Sequence, residues 1–148
     1  MEVTRRAAED SDTDFARETH HRAYRDVVTR QFGAWNEDAQ DAYFGGDWLS
    51  GPPFEIALAD GRRCGYLSVE KRSDEIHVRE LVLHPDFQNQ GIGTALLRQE
   101  MERAQAAGLP VRLQTQLKNE AIRLYRRLGF NEVGRTETHF QLEWLPTK

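Results

Sequence analysis

The chain has 148 residues, 30% of them Asp, Glu, Lys or Arg, and a formal net charge of -4. That length suits one domain with a real core but not two; no run approaches the roughly eighteen apolar residues of a membrane span, and Met1-Glu2-Val3-Thr4-Arg5-Arg6 has no apolar stretch behind its charges, so neither a membrane helix nor a signal peptide is expected and a cytoplasmic location follows. The single cysteine, Cys64, excludes an internal disulfide and a zinc cluster built from cysteines.

Val3 to Ala7 reads as a short edge strand. A helix follows from Ser11 or Asp12, either of which can cap it, with Phe15, Ala16, Thr19, Ala23, Val27 and Val28 spaced along one face and Gly33 ending it. Glu37 to Phe44 reads as a second, short helix closed by Gly45-Gly46, and Trp48 to Pro53 as a turn. Residues 1–50 thus predict a helical hairpin ahead of the sheet. It is rich in aromatic rings, of which some pack beneath it and others, Tyr24 and Trp35 being the candidates, line an acceptor pocket. His20 and His21 are adjacent on the helix and so point to different faces; a joint metal site is not expected.

From Phe54 the period becomes that of strands. Phe54 to Ala59, Cys64 to Glu70 and Ile76 to Leu83, separated by turns at Asp60-Gly61 and near Ser73-Asp74, predict an antiparallel meander over 54–83. Cys64, beside Gly65, is a small buried filler rather than a nucleophile. Residues 84–107 then form a turn and a helix with Ile92, Leu96, Leu97, Met101 and Ala104 as its apolar face, stopped by Gly108 and Pro110. Val111, Leu113, Thr115 and Leu117 alternate with Arg112, Gln114 and Gln116 as a half-buried strand. A strand, a crossover helix and another strand imply a parallel pair, about 76–83 and 111–117. Asn119 caps a helix from Glu120 to Leu128, ended by Gly129, and Glu132 to Arg135 with His139 to Trp144 close the chain as a hairpin. The result is an α/β fold with one mixed sheet of about six or seven strands and about four helices.

The stretch His84-Pro85-Asp86-Phe87-Gln88-Asn89-Gln90-Gly91-Ile92-Gly93-Thr94 carries the chemistry. A strand that enters a helix through a Gly-x-Gly turn leaves backbone N–H groups without intrahelical partners at the positive end of the helix dipole, and such a turn can hold a phosphate. Gly91 and Gly93 let the backbone approach an anion closely; an ordinary loop with a flexible helix start is the alternative. There is no Gly-Lys-Ser/Thr ending and no third glycine of a dinucleotide fingerprint. Charge divides along the same line, since residues 1–60 carry a net -7 and residues 61–148 a net +3. A polyphosphate is drawn to the second part and a cationic acceptor to the first. No basic run is interleaved with aromatics, so nucleic acid is not an expected partner.

Gln88-x-x-Gly91-x-Gly93 follows a strand and Pro85, and about thirty residues later comes Asn119-Glu-Ala121-Ile-Arg-Leu-Tyr125-Arg-Arg-Leu-Gly129-Phe130. Together they resemble the two ordered signatures of the GNAT superfamily of acyl-CoA-dependent N-acyltransferases, over a span from about Phe54 to Leu145. The resemblance implies a single N-acetyltransferase domain, 1–148, with acetyl-CoA as co-substrate and no metal. In that family the pantetheine arm lies between two splayed parallel strands, here pairing with the backbone of Leu81, Val82 and Leu83. Gln88 opens the motif, and the diphosphate sits on the N–H groups of Asn89, Gln90, Gly91, Ile92, Gly93 and Thr94. Asn119 matches the family asparagine at the shorter of two spacings to the tyrosine, Lys118 standing where other members place it, and is carried over as a cofactor contact.

Acyl transfer from a thioester to an amine needs a neutral amine, support for charge on the carbonyl oxygen, and a proton for the departing thiolate. Backbone N–H groups near Val82 serve the second need. Tyr125 matches the tyrosine that the family places by the CoA sulfur, and serves the third; membership of a buried helical stripe with Ala121 and Leu128 is the competing explanation. Glu80 is the candidate base, because a carboxylate in an otherwise apolar strand would have its pKa raised by burial. An ion pair with Arg79 or Arg112 is the alternative, although Arg79, its neighbour on the strand, faces the other way. Glu137 and His139 share one face if their strand starts early enough, and are candidate acceptor contacts. The expected activity is acetylation of a primary amine on a small cationic acceptor by direct attack, without an acyl-enzyme. A protein N-terminus or lysine is the alternative acceptor, a non-catalytic CoA-binding sensor or regulatory module the alternative of another class, and a homodimer is left open.

Overall fold

A computed structural model describes residues Met1–Lys148. In chain order the elements are β1 (Val3–Ala7), α1 (Thr13–Phe32), α2 (Glu37–Ser50), β2 (Glu55–Ala59), β3 (Arg62–Lys71), β4 (Ile76–Leu83), α3 (Ile92–Ala107), β5 (Val111–Gln116), α4 (Ile122–Arg127), β6 (Asn131–Arg135) and β7 (His139–Trp144), with single 3-10 turns at Asp10–Asp12 and Pro85–Phe87. Hydrogen bonds order the seven strands of the sheet β1-β2-β3-β4-β5-β7-β6. The β4/β5 pair is parallel, as the crossover through α3 requires, and β1/β2, β2/β3, β5/β7 and β6/β7 are antiparallel. No helix is long and apolar enough to cross a membrane.

Two helices depart from the sequence reading. The second helix does not close at Gly45-Gly46 but runs on to Ser50, so Trp48 is helical rather than part of a turn. Each interior glycine costs about 0.5–1 kcal/mol relative to alanine. Against that, Phe44 is buried and stacks on Trp48 at 5.5 Å, and Trp48 stacks on Phe54 at 5.0 Å; burying such rings is worth about 1.5–3 kcal/mol apiece. The other departure is α4, which starts at Ile122 instead of Glu120. Asn119 accepts from the Ala121 N–H at 2.9 Å through its Oδ1, closing a local turn two residues long before the helix can begin.

The chain forms two compact units, Met1–Ser68 with Glu80–Ile92, and Val69–Arg79 with Gly93–Lys148. The core of the first gathers Ala16, Phe44, Phe54, Ile56, Tyr66 and Val82. Gly65 is required at its place in β3, because a Cβ there would run into the Val82 carbonyl oxygen and lie 2.9 Å from Leu83 Cδ2. Gly65→Ala is therefore expected to lose about 1–3 kcal/mol of stability, the usual cost of overpacking, read as a lower urea midpoint at unchanged slope.

The same unit buries an ion cluster. Asp12, 1% exposed, accepts from both terminal nitrogens of Arg6 at 2.8 and 3.0 Å, from Arg63 at 3.2 Å and from the Glu9 N–H at 2.9 Å. The Arg6 hydrogen bonds, against the cost of burial, hold its carboxyl down at about 2. A folded-state value below the unfolded one, about 3.9, means that the stabilisation is complete above that pH and is lost as pH falls toward 2. Urea titrations at pH 6 and pH 2 should differ by about 2 kcal/mol more in the wild type than in Asp12→Asn.

In the second unit β4 pairs with β5 over only three residues of each strand, Ile76–Val78 against Val111–Leu113. On its other side β5 is zipped to β7 along its whole length, from Val111↔Trp144 to Gln116↔His139. Arg112 locks this layer by donating to Glu143 at 2.8 Å and to Glu75 at 3.1 Å, while Arg72 donates to Glu75 at 2.8 Å. Val111, Leu113, Phe130, Tyr125 and Leu142 are buried here.

Candidate active site

The turn after β4 is built in the first unit, up to Ile92. His84 Nδ1 accepts from the Asp86 N–H at 3.1 Å and so caps the Pro85–Phe87 turn. Gln88 Nε2 donates back to the Leu83 carbonyl at 3.0 Å, and Gln90 Nε2 to that of Asp86 at 3.0 Å. These two side chains thus brace the loop. Asn89 and Gly91 both take left-handed backbone conformations, at φ 62° and 83°. Left-handed residues between ordinary ones turn successive N–H groups into one concavity, the geometry of an anion nest. The first four N–H groups of α3, from Ile92 through Gly93 and Thr94 to Ala95, have no intrahelical acceptor. Asn89, Gln90 and Gly91 are exposed, so this backbone is open to a ligand. Its donor set fits a diphosphate.

In β4, Val82 is buried and Leu81 and Leu83 are half-buried. Residues of β4 beyond Val78 are outside the register with β5. Of the two arginines weighed as partners of Glu80, Arg112 donates to Glu75 and Glu143, and Arg79 lies 4.0 Å from Glu70. Glu80 accepts from the Tyr24 hydroxyl at 3.2 Å. Beneath it Tyr66 is 2% exposed, and burial first, then the charges of Glu80 and Asp47, push its phenol far above the usual range. It remains a neutral hydroxyl.

Tyr24 and Trp35 come together around a group that the sequence reading separated. The rings of His20 and His21 do not diverge; their Nδ1 atoms meet at 2.9 Å. Adjacent helical residues are only about 100° apart, not opposed, and two rotamers can close that angle. Tyr24 packs on His20 at 5.0 Å between ring centres and Trp35 on His21 at 5.2 Å. His21 Nε2 lies 2.6 Å from Asp41 Oδ1. The Trp35 indole N–H donates to Glu37 at 2.6 Å. His21, Glu37 and Asp41 each offer an atom within 4.8 Å of the others, a set that could take a cation, but both carboxylates are open to solvent and the His21–Asp41 hydrogen bond accounts for their approach. The signal for this cluster was present in the sequence: His20 stands four residues from both Ala16 and Tyr24, on the buried stripe of α1.

The remaining candidates belong to the second unit. Tyr125 is buried on α4, its ring edge-on to Phe130 at 5.9 Å. Asn119 is tied into its own turn, with Nδ2 donating to Gln116 at 3.0 Å and Oδ1 accepting from Ala121. Glu137 and His139 do not share a strand face, since β7 begins only at His139 and Glu137 is exposed in the preceding bend. Thr136 Oγ1 accepts from the Thr138 and His139 N–H groups and so holds Glu137 in that bend. His139 Nδ1 lies 2.7 Å from Thr138 Oγ1, and burial holds its pKa below the usual histidine value. Cys64 is fully buried, with burial pushing its thiol up to about 11, a filler and not a nucleophile.

Residues 51–132, more than half of the chain, match the acetyltransferase (GNAT) domain, and the chain belongs to that family. It is 34% identical over 86 residues to an uncharacterized N-acetyltransferase of Methanocaldococcus jannaschii; that match covers 57% of this chain and 37% of the relative, so the chain spans well under half of the relative's length. The fold is similar to that of the PaiA N-acetyltransferase of Thermoplasma acidophilum, solved in complex with coenzyme A, at a TM-score of 0.76 and 18% identity over 98% of this chain and 99% of that one. It is also similar to the ribosomal-protein-S18-alanine N-acetyltransferase of Escherichia coli, at a TM-score of 0.67 and 21% identity over 99% and 96%. At such identities the likeness is one of fold.

Proposed function

We propose that the chain is a single N-acetyltransferase domain that works in the cytoplasm, moving an acetyl group from acetyl-CoA to the primary amine of a small cationic acceptor. The observation that carries this reading is the turn at Gln88–Thr94, where an exposed loop with two left-handed residues leads from a strand into a helix start whose first N–H groups have no intrahelical acceptor. Asn89, Gln90, Gly91, Ile92, Gly93 and Thr94 hold the diphosphate of the carrier, with the Gln88 side chain bracing the loop. The main chain of Leu81, Val82 and Leu83 pairs with the pantetheine amides, an assignment supported by the end of the β4/β5 register at Val78. Asn119 supports the carrier from its own turn.

The Val82 N–H meets the thioester carbonyl oxygen as charge develops on it. Glu80 removes a proton from the acceptor nitrogen, and Tyr125 delivers one to the departing thiolate. Acidic and aromatic groups favour a cation over a neutral acceptor: Glu80 and Tyr24 are hydrogen-bonded, the Trp35 ring lies by Glu37, and residues 1–60 are strongly acidic. Trp35 and Tyr24 line the acceptor site, and Glu137 and His139 are proposed as further acceptor contacts.

Calorimetry with coenzyme A and acetyl-CoA, followed by thiol release with a panel of polyamines, amino acids and lysine or N-terminal peptides, tests the reading. Binding with amine-dependent thiol release is the expected result, strongest for small polycations. Gly91→Val, which forces a branched side chain to φ 83°, should weaken carrier binding. No heat on carrier injection would overturn the reading; binding without acceptor-dependent release would make the chain a sensor module, and release only with peptides would make it a protein acetyltransferase.

A further inference from the structure

The Asp41–His21–His20 chain in the first unit is used by none of these steps, and its protons can be assigned from its distances. At 2.6 Å from Asp41 Oδ1, His21 Nε2 carries a hydrogen and donates it to the carboxylate. The two Nδ1 atoms at 2.9 Å hold one proton between them, since two lone pairs or two N–H bonds would repel. A neutral His21 has already committed its only hydrogen at Nε2. The shared proton therefore belongs to His20 Nδ1, and His20 Nε2 is a lone pair.

The ring that carries that lone pair is enclosed by aromatic side chains. Thr19 Oγ1 is the buried side-chain polar atom left without a partner; on His20, which is 4% exposed, Nδ1 is taken by His21 and the chain supplies no hydrogen bond to Nε2. The rings of Tyr24, Phe44, Tyr43 and Trp35 surround His20 at 5.0–6.4 Å. Tyr24 also reaches Glu80, so His20 and the proposed base flank one tyrosine. The charged and titratable groups that bear on the pair are Tyr24 and Arg25 on α1, Arg25 pairing with Glu37 at 3.1 Å and lying over Trp35, then Glu37, Asp41, Tyr43 and Asp47 on α2, and Glu80 beyond Tyr24 on β4.

An acceptor arriving as an ammonium has three protons on nitrogen, and the amide it becomes keeps one. Glu80 accounts for one of the two that leave. We propose that His20 Nε2 takes the other, the first, with His21 and Asp41 as positioning residues behind it; this rests on the acetyl-transfer reading. The ammonium N–H bond breaks with its electron pair left on nitrogen, and the proton bonds to His20 Nε2. In the same movement the His20 Nδ1 proton passes to His21 Nδ1. His20 ends neutral, and the positive charge resides on His21, 2.6 Å from Asp41 and 3.9 Å from Glu37. Burial and the charge of His21 hold the His20 pKa down at about 4, which is why the charge moves on instead of resting there. Asp41 and Glu37 are exposed, so the proton can pass from His21 to bulk water and reset the chain.

Two measurements on the full-length protein test this. Nitrogen NMR of histidine-labelled protein without ligand should find, at neutral pH, His20 protonated at Nδ1 and His21 at Nε2; Asp41→Asn should abolish that preference. Thiol-release kinetics should then find His20→Gln slower by about 10²-fold at pH 7, with the deficit closing as pH nears the acceptor amine's own pKa of about 10, because a neutral amine needs no first base. Asp41→Asn, at an exposed position, should show the same pH dependence at smaller size. A His20 ring protonated at Nε2 at neutral pH, or a deficit that does not change with pH, overturns the proposal while acetyl transfer stands. Wild-type protein that shows the expected tautomers but releases no thiol with any amine at any pH overturns acetyl transfer, and the base role with it.

Discussion

Tyr125→Phe is expected to lower kcat by about 10²- to 10⁴-fold, the contribution usual for a positioned proton donor, while leaving the affinity for acetyl-CoA unchanged. The substitution is informative because it is small. Tyr125 is buried and its ring packs edge-on against Phe130; phenylalanine keeps that contact and loses only the hydroxyl. If the hydroxyl protonates the leaving thiolate, the deficit belongs to the step in which sulfur departs. A thioester whose thiol is more acidic needs less help at that step, so an aryl thioester should recover much of the lost rate in the variant and gain little in the wild type. If the residue were only part of the buried stripe of α4, the variant would lose stability but not kcat, and the leaving group would make no difference. Parallel steady-state and urea measurements separate the two.

The parts of the molecule that were legible in its sequence are those whose cause is local. Gly91 announces a left-handed turn because few other residues tolerate φ 83°, and the alternation from Val111 to Gln116 announces a strand with one buried face. The parts that were not legible have their cause elsewhere in the chain. Gly45-Gly46 reads as a stop, yet α2 continues because Trp48 finds Phe54, a residue outside the helix, to stack upon. Asn119 reads as a helix cap, but its side chain closes a shorter turn held also to Gln116. The position of Glu80 marked it as a candidate, while its partner Tyr24 lies 56 residues away, beyond the reach of any spacing rule. The histidine pair was misread for a subtler reason. Helical period assigns directions to Cβ atoms, and the meeting of His20 and His21 is made by their rings, farther out.

Glu80→Gln should reduce kcat by about 10²-fold or more, and its pH dependence should differ from that of His20→Gln. Glutamine keeps the shape and an oxygen that can still accept from Tyr24, so the hydrogen bond at 3.2 Å survives; what disappears is the ability to take a proton. Tyr66 beneath it cannot substitute, being held neutral by burial and by the charges around it. The proton assigned to Glu80 leaves the acceptor nitrogen as it bonds to the carbonyl carbon, a stage at which the nitrogen is acidic whatever the pH outside. Raising the pH supplies more free amine but does not remove that later requirement. The Glu80→Gln deficit should therefore persist from pH 7 to pH 9.5, whereas the deficit of His20→Gln closes. If instead Glu80 serves only to hold a cation, KM for the acceptor rises and kcat at saturation stays near the wild-type value. A kcat unchanged by the substitution removes Glu80 as the base, and a deficit that vanishes at high pH assigns it the first proton in place of His20.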